Sequence, residues 1–255
     1  MPQRHEYSDG APCWTDLSTP DLGRAQRFYG ELFGWQFDEP DPRLGGYANI
    51  RKDGKRVAGM MPMMPGQLAT VWTVHLKSSD IDTSEQRITA AGGQVLVKHG
   101  LPELGTTMIA VDPTGATFGV WQPGAHTGAE LVDEPGAMCW HELYTRDPEA
   151  ADHFYRAVFG HEQRRMEGDG DIDYMIYSRD GQGVAGRMKM TAEFGAAPPR
   201  WETFFAVVNL DAALAKLGPL AGKSMFGPIE TPYGRVAKVA DPHGAMFAII
   251  ELTDP

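Results

Sequence analysis

The sequence has few cysteines, few basic residues and no long apolar run, and each scarcity excludes a class of protein. Two cysteines, Cys13 and Cys139, occur in 255 residues, too few for a disulfide framework or a thiolate zinc site. The net charge of −11 disfavours nucleic acid as a partner, because it repels the phosphate backbone. No stretch approaches the roughly 20 apolar residues that span a bilayer, and the first ten residues lack a signal-peptide core. We therefore expect a cytoplasmic protein with no membrane partner.

An internal duplication is the strongest feature of the sequence. The segment CWTDL at 13–17 recurs as CWHEL at 139–143, and 126 residues separate Trp14 from Trp140. The turn DPTG at 112–115 recurs as DPHG at 241–244, a spacing of 129 residues. The near-constant spacing predicts two domains of the same build.

Each half divides again into two units with the order βαβββ. A strand near 12–18 precedes a predicted helix over 20–33, in which apolar residues recur every three or four positions. Ser18 or Thr19 is its expected cap and Pro20 its first residue. Three short strands follow. The second unit repeats this order, with a strand predicted over 71–77, a helix over 82–91 and later strands that include 105–111.

These patterns predict an α+β fold of four tandem βαβββ units forming two domains. The predicted domains cover 11–123 and 137–253. A linker at 124–136 joins them, because that segment is rich in turn formers and acids and lacks periodicity. Pairing of units within a half or across halves remains open from the sequence.

The repeated pieces together resemble the glyoxalase, bleomycin resistance and extradiol dioxygenase proteins, also called the vicinal-oxygen-chelate superfamily. The pieces are the opening CW-x-D/E-L strand, Phe-Tyr then Phe-Gly along the first helix of each half, and the Asp-Pro-x-Gly hairpin. The sequence is similar to actinobacterial two-domain glyoxalase-like proteins that are often labelled hydroxylases. The resemblance implies that each half curls into an open barrel, whose inner face holds a divalent metal in the enzymes of the superfamily.

The resemblance also locates the expected metal ligands, and this sequence departs from them. Those positions are occupied by Trp14, Thr73 and Gly119 in the first half and by Trp140, Glu202 and Ala248 in the second. Of these, only Glu202 has a side chain that commonly binds a divalent metal. A divalent metal site needs three or more His, Asp or Glu side chains. We therefore predict no cofactor, with a divalent metal as the alternative.

Strand alternation predicts which side chains line the two cavities. The candidates are Trp14, Asp16, Tyr47, Thr73 and His75 in the first, and Trp140, Glu142, Tyr144, Tyr174 and Glu202 in the second. A tryptophan beside a carboxylate suits a flat, partly apolar ligand, since the indole stacks and the acid accepts a hydrogen bond. The other reading is that each tryptophan plugs its barrel.

His75 and Glu202 are the candidate catalytic residues. His75 is a general base if it lies near Asp16 or Thr73, although a lone strand histidine is more often structural. Glu202 is either an unpaired base whose pKa is raised by burial or a carboxylate at the rim that is solvated or salt-bridged.

The sequence favours a metal-independent protein that binds a small, partly aromatic molecule, such as an antibiotic or natural product. The alternative is an enzyme, either a glyoxalase-like lyase or isomerase or a hydroxylase-type oxygenase. Filled barrels with a structural role are a third reading. The assembly is a monomer whose halves imitate a dimer, or a homodimer.

Overall fold

A computed structural model describes residues 6–166 and 172–253. The elements of the first half are β1 (Pro12–Thr19), α1 (Leu22–Phe33), β2 (Gln36–Phe37), β3 (Ala48–Lys52), β4 (Lys55–Pro62), β5 (Val71–Lys77), α2 (Ile81–Ala90), β6 (Gln94–Leu101), β7 (Gly105–Val111) and β8 (Thr117–Pro123). Those of the second half are β9 (Met138–Thr145), α3 (Pro148–Phe159), β10 (Glu162–Arg165), β11 (Tyr174–Arg179), β12 (Gln182–Lys189), β13 (Arg200–Ala206), α4 (Leu210–Leu217), β14 (Lys223–Thr231), β15 (Gly234–Ala240) and β16 (Met246–Leu252).

Each half forms one eight-stranded sheet with the same strand order. The first runs β2-β3-β4-β1-β5-β8-β7-β6, and the second runs β10-β11-β12-β9-β13-β16-β15-β14. The units therefore pair within a half, first with second and third with fourth. The opening strands of the two units, β1 and β5, run antiparallel at the centre of the sheet. This confirms the α+β fold of tandem βαβββ units.

Helix α1 begins at an acidic cap, whereas the sequence analysis placed its cap at Ser18 or Thr19. Strand β1 continues through Thr19, so Ser18 and Thr19 are part of the sheet rather than caps. Asp21 has extended backbone and its side chain accepts a hydrogen bond from the amide of Arg24, which makes it the cap of α1. Asp80 caps α2 in the same way. Among the described residues, no helix is long and apolar enough to cross a membrane.

The outer faces of the two sheets share a core with the helices. Phe33 of α1 contacts Phe205 of the second half at 5.3 Å between ring centroids. Phe154 of α3 contacts Phe118 of the first half at 5.9 Å. Each half thus contributes a helix that packs on the sheet of the other.

Two buried hydrogen bonds cross between the halves in the same reciprocal way. The Tyr29 hydroxyl donates to Asp241 at 3.1 Å, and the Tyr155 hydroxyl donates to Asp112 at 3.0 Å. Both aspartates begin the repeated Asp-Pro-x-Gly turns. The turns therefore anchor the opposite helix as well as reversing the chain.

The segment at 124–136, interpreted from sequence as a linker, is fixed against the first half. Its backbone amides at Gly124 and His126 donate to the carbonyl of Leu104, and the amide of Ala129 donates to the carbonyl of Cys13. His126 lies within this segment and is buried. The segment thus packs on the first half and places the buried His126 there.

Candidate functional site

The central strands separate an inner face from an outer face. Thr15 on β1 faces outward, where its hydroxyl lies 3.1 Å from the hydroxyl of Thr203 in the other half. Side chains alternate along a strand, so Trp14 and Asp16 face the inner cavity. Thr73 lies beside Asp16 in the β1–β5 register and shares that face.

The first cavity brings together all five of its predicted residues. The indole of Trp14 donates to the Tyr47 hydroxyl at 2.7 Å. His75 Nε2 lies 3.0 Å from Asp16 Oδ2, so the expected proximity of these two side chains is present. Thr73 completes the group beside Asp16.

Two glycines make room for this group. A Cβ atom added at Gly59 would lie 1.8 Å from the Tyr47 hydroxyl oxygen, and one at Gly119 would lie 2.1 Å from His75 Nδ1. Gly119 occupies one of the positions where the family resemblance places a metal ligand. Here its lack of a side chain gives space to His75.

Sequence reasoning missed His126, which fills the first cavity. Its ring lies 4.4 Å from that of Trp14 and 5.4 Å from that of Trp121, and Trp14 is only 3% exposed. Burial lowers the pKa of His126 to about 4, so the imidazole is neutral at neutral pH. Its position in a segment without periodicity gave no signal in the sequence.

A polar network lines the second cavity. The indole of Trp140 donates to the Tyr174 hydroxyl at 2.9 Å, and that hydroxyl donates to Glu142 Oε1 at 2.9 Å. The Tyr144 hydroxyl donates to Glu142 Oε2. Burial raises the pKa of Tyr144 and Tyr174, and the nearby Glu142 carboxylate raises both further. Both phenols therefore stay protonated and act as donors.

Glu202 is buried in this cavity and is paired with two cations. Lys238 Nζ lies 2.7 Å from Glu202 Oε1, and Arg200 Nε donates to Glu202 Oε2 at 3.1 Å. Burial alone raises the pKa of Glu202, but Lys238 and Arg200 outweigh it and hold that pKa below its usual value. The expectation of an unpaired base with a raised pKa is wrong, and the salt-bridged carboxylate lies inside the cavity rather than at its rim.

Lys238 is the second residue that sequence reasoning missed. It also donates to the Tyr144 hydroxyl and lies 4.0 Å from the centroid of the Phe204 ring. Val236, two residues earlier on β15, belongs to the apolar cluster of Phe204 and Ala248. Because side chains alternate along a strand, Lys238 points to the same face as Val236. This alternation was the available sequence signal.

Aromatic surface remains open beside this network. Phe226 pairs with Lys238 across β14 and β15, so both side chains lie on the inner face. Phe226 is 59% exposed, and Trp140 is half-buried. The first cavity is therefore filled by its own residues, whereas the second presents an aromatic wall to solvent.

The residues present do not fit a divalent metal held in the family manner. The indole nitrogens of Trp14 and Trp140 are donors to tyrosine hydroxyls and have no lone pair for a metal. Glu202 already pairs with Lys238 and Arg200. Within 6–166 and 172–253, no three His, Cys, Asp or Glu side chains are grouped so that they can hold a metal ion.

Comparisons with known proteins agree with this architecture. Residues 14–121 match the model of the glyoxalase-like domain, and residues 137–249 match that of the glyoxalase/bleomycin resistance protein/dioxygenase superfamily. CFP32 of Mycobacterium tuberculosis, whose name assigns it provisionally to the glyoxylases, is 36% identical over 98% of both chains. The anthracycline biosynthesis protein DnrV of Streptomyces peucetius is 35% identical over 97% of this chain and 95% of its own.

Solved structures share the fold at low sequence identity. The 2,3-dioxygenase LapB from Pseudomonas sp. KL28 has a TM-score of 0.66 at 14% identity, covering 98% of this chain and 95% of its own. A Mn(II)-bound glyoxalase from Novosphingobium aromaticivorans has a TM-score of 0.65 at 16% identity, covering 97% of this chain and 84% of its own. Together with the family matches and the full-length relatives, these findings establish that the chain belongs to the glyoxalase, bleomycin resistance and dioxygenase group, the vicinal-oxygen-chelate superfamily.

Proposed function

We propose that the protein binds a small, partly aromatic molecule in the second cavity without a catalytic metal. The observation that carries this proposal is the half-buried Trp140 beside the Tyr174–Glu142 network, with the exposed ring of Phe226 on the same inner face. Open aromatic surface next to a few fixed polar groups is typical of a small-molecule site. The first cavity takes a structural role, because His126 and Trp121 occupy it against Trp14.

The full-length relatives support a flat ligand. DnrV and DauV, each 35% identical to this chain, are named anthracycline biosynthesis proteins, and an anthracycline contains a fused aromatic ring system. We therefore place antibiotics and related natural products among the candidate ligands, with binding or escort of a pathway compound as the role.

The alternative is catalysis by a glyoxalase-like lyase or isomerase, or by a hydroxylase-type enzyme. Its support is the glyoxylase name of CFP32 and the bound Mn(II) in one structural neighbour. The side chains of this chain argue against a metal-dependent form, since Glu202 is engaged by Lys238 and Arg200. Elemental analysis of the purified protein separates the two readings, because stoichiometric metal favours the enzyme.

The binding proposal is tested by titrating 2-hydroxyanthraquinone, a planar aromatic probe, while tryptophan fluorescence is recorded. We expect saturable quenching by the native protein. Trp140→Ala should weaken binding about tenfold, a loss of about 1.4 kcal/mol, because it removes the stacking surface.

Trp14→Ala is the matched control, since Trp14 occupies the equivalent position in the filled cavity. It should retain the affinity of the native protein once thermal unfolding confirms that both variants are folded. Equal weakening by the two substitutions, or binding lost only in Trp14→Ala, contradicts the assignment to the second cavity.

A further inference from the structure

Lys238 has a hydrogen-bond donor to spare on the inner face of the second cavity. An ammonium group carries three N–H donors. One contacts Glu202 Oε1 at 2.7 Å, and another donates to the Tyr144 hydroxyl. Glu142 Oε2 is the next acceptor, at 3.6 Å, which is beyond hydrogen-bond distance. The Lys238 side chain is 16% exposed, and the contacts above leave its third N–H for a ligand.

The acceptors of this cavity are already engaged by the protein. The two oxygens of Glu142 accept from the hydroxyls of Tyr174 and Tyr144. The two oxygens of Glu202 contact Lys238 and Arg200. This differs from the expectation that the acid accepts a hydrogen bond from the ligand. Each carboxylate oxygen therefore already has a contact within the protein, whereas Lys238 keeps one N–H that an acceptor on the ligand can use.

The surroundings of Lys238 define what carries that acceptor. The ammonium lies 4.0 Å from the centroid of Phe204 and 4.7 Å from that of Tyr144. Phe226, exposed and on the same face, extends the aromatic surface toward solvent. A flat ring bound against this surface places an oxygen on its edge next to the ammonium.

The second half differs from the first at these positions. Ile109 stands 129 residues before Lys238, and Thr73 stands 129 residues before Glu202. The matching registers, Ile109 opposite Gly119 and Lys238 opposite Ala248, confirm that the two positions are equivalent. The cation is therefore a specific property of the second cavity rather than a feature of the repeated unit.

We propose that Lys238 is the cation that binds the ligand in the second cavity, and that it takes an acceptor oxygen attached to an aromatic ring, as a phenolate. The cation that meets the ligand is then a side chain of the protein rather than a bound metal. This inference rests on the proposed function and names the chemical class of its ligand.

The test is the ionisation of 2-hydroxyanthraquinone, whose absorption spectrum changes when its phenol loses a proton. Burial, Glu142 and Glu202 raise the pKa of the Tyr144 phenol, which donates to Glu142. The oxygen of the probe accepts from Lys238 and donates to neither carboxylate, so binding should lower the pKa of its phenol by about one unit or more, because an opposite charge within about 6 Å favours the ionised form. The affinity of the native protein should correspondingly rise about tenfold or more as the phenol ionises. In Lys238→Ile/Glu202→Thr most of this shift should disappear, although Arg200 stays beside the Tyr144 ring.

The double variant avoids a buried unpaired carboxylate, because it installs the two residues that the first half already carries. Lys223→Ile is the matched control, since it removes one exposed positive charge from the same sheet and should keep the full shift of the phenol pKa.

The outcomes separate the inference from the proposed function. Quenching without a lowered phenol pKa in the native protein overturns the role of Lys238 and leaves binding intact, as does an unchanged shift in the folded double variant. Equal native affinities for the phenol and the phenolate overturn it as well, whether or not the variant folds. Absence of quenching by the native protein defeats the proposed function and the inference with it.

Discussion

At the residue scale, His126 packs against Trp14 and Trp121 as a neutral imidazole. Its folded pKa of about 4 lies below the ordinary value of 6.5, so unfolding at intermediate pH takes up a proton. The stability that this histidine contributes is present above about pH 6.5 and is lost as the pH falls toward 4.

His126→Phe keeps an aromatic ring against Trp14 and Trp121 but removes the titration. Between about pH 6.5 and 4, the free energy of unfolding should fall less steeply in the variant, by up to about 1.4 kcal/mol per pH unit. Urea unfolding at several pH values measures the slope. His99→Gln, at an exposed position of β6, should leave the slope unchanged. A slope unchanged in His126→Phe contradicts a buried neutral imidazole.

At the element scale, an ion network joins α3 to the strands of the third unit. Arg187 on β12 is 1% exposed and lies 2.9 Å from Asp152 of α3 and 2.7 Å from Asp173, which precedes β11. Tyr177 donates to the same Asp152 at 2.7 Å. The equivalent of Arg187 in the first unit is Met60, which is also fully buried.

Arg187→Met leaves two carboxylates without their cation and should lower the free energy of unfolding by about 3–5 kcal/mol. The matched control is Arg187→Met/Asp152→Gln/Asp173→Gly, which installs the side chains at the corresponding first-unit positions, Met60, Gln26 and Gly46. It should recover most of the loss in urea unfolding. A single variant as stable as the native protein, or a triple variant no better than the single, contradicts this account.

Much of this element structure follows from local sequence. Strands β5 (Val71–Lys77) and β7 (Gly105–Val111) begin and end at the predicted residues, because apolar runs bounded by turn residues define them. The first residue of α1 does not follow from local sequence alone. Ser18, Thr19 and Asp21 are all good caps, and only the extension of β1 through Thr19 decides for Asp21.

The site was predictable in part, for a physical reason. Trp140, Glu142 and Tyr144 were identified because alternation along one strand fixes which way side chains face. The ion pair of Lys238 with Glu202 depends on the packing of β15 and β13 from distant parts of the chain. His126 reaches the first cavity through a segment with no periodicity. Contacts of this kind arise from the tertiary fold.

At the scale of the whole molecule, the duplicated halves share one core but differ in their cavities. Phe33 of the first half packs on Phe205 of the second, and Tyr29 and Tyr155 bind the opposite turns. His126 fills the first cavity against Trp14. The second cavity has aromatic side chains and Lys238 on its inner face. We therefore propose a single ligand site in each chain.

The most direct test of that claim is the binding stoichiometry of 2-hydroxyanthraquinone, measured by calorimetry on protein treated with a chelator and again after Mn²⁺ is added. We expect one molecule bound per chain, with the same dissociation constant in both conditions. Two molecules per chain contradict the closure of the first cavity, and binding that requires Mn²⁺ contradicts the metal-independent site.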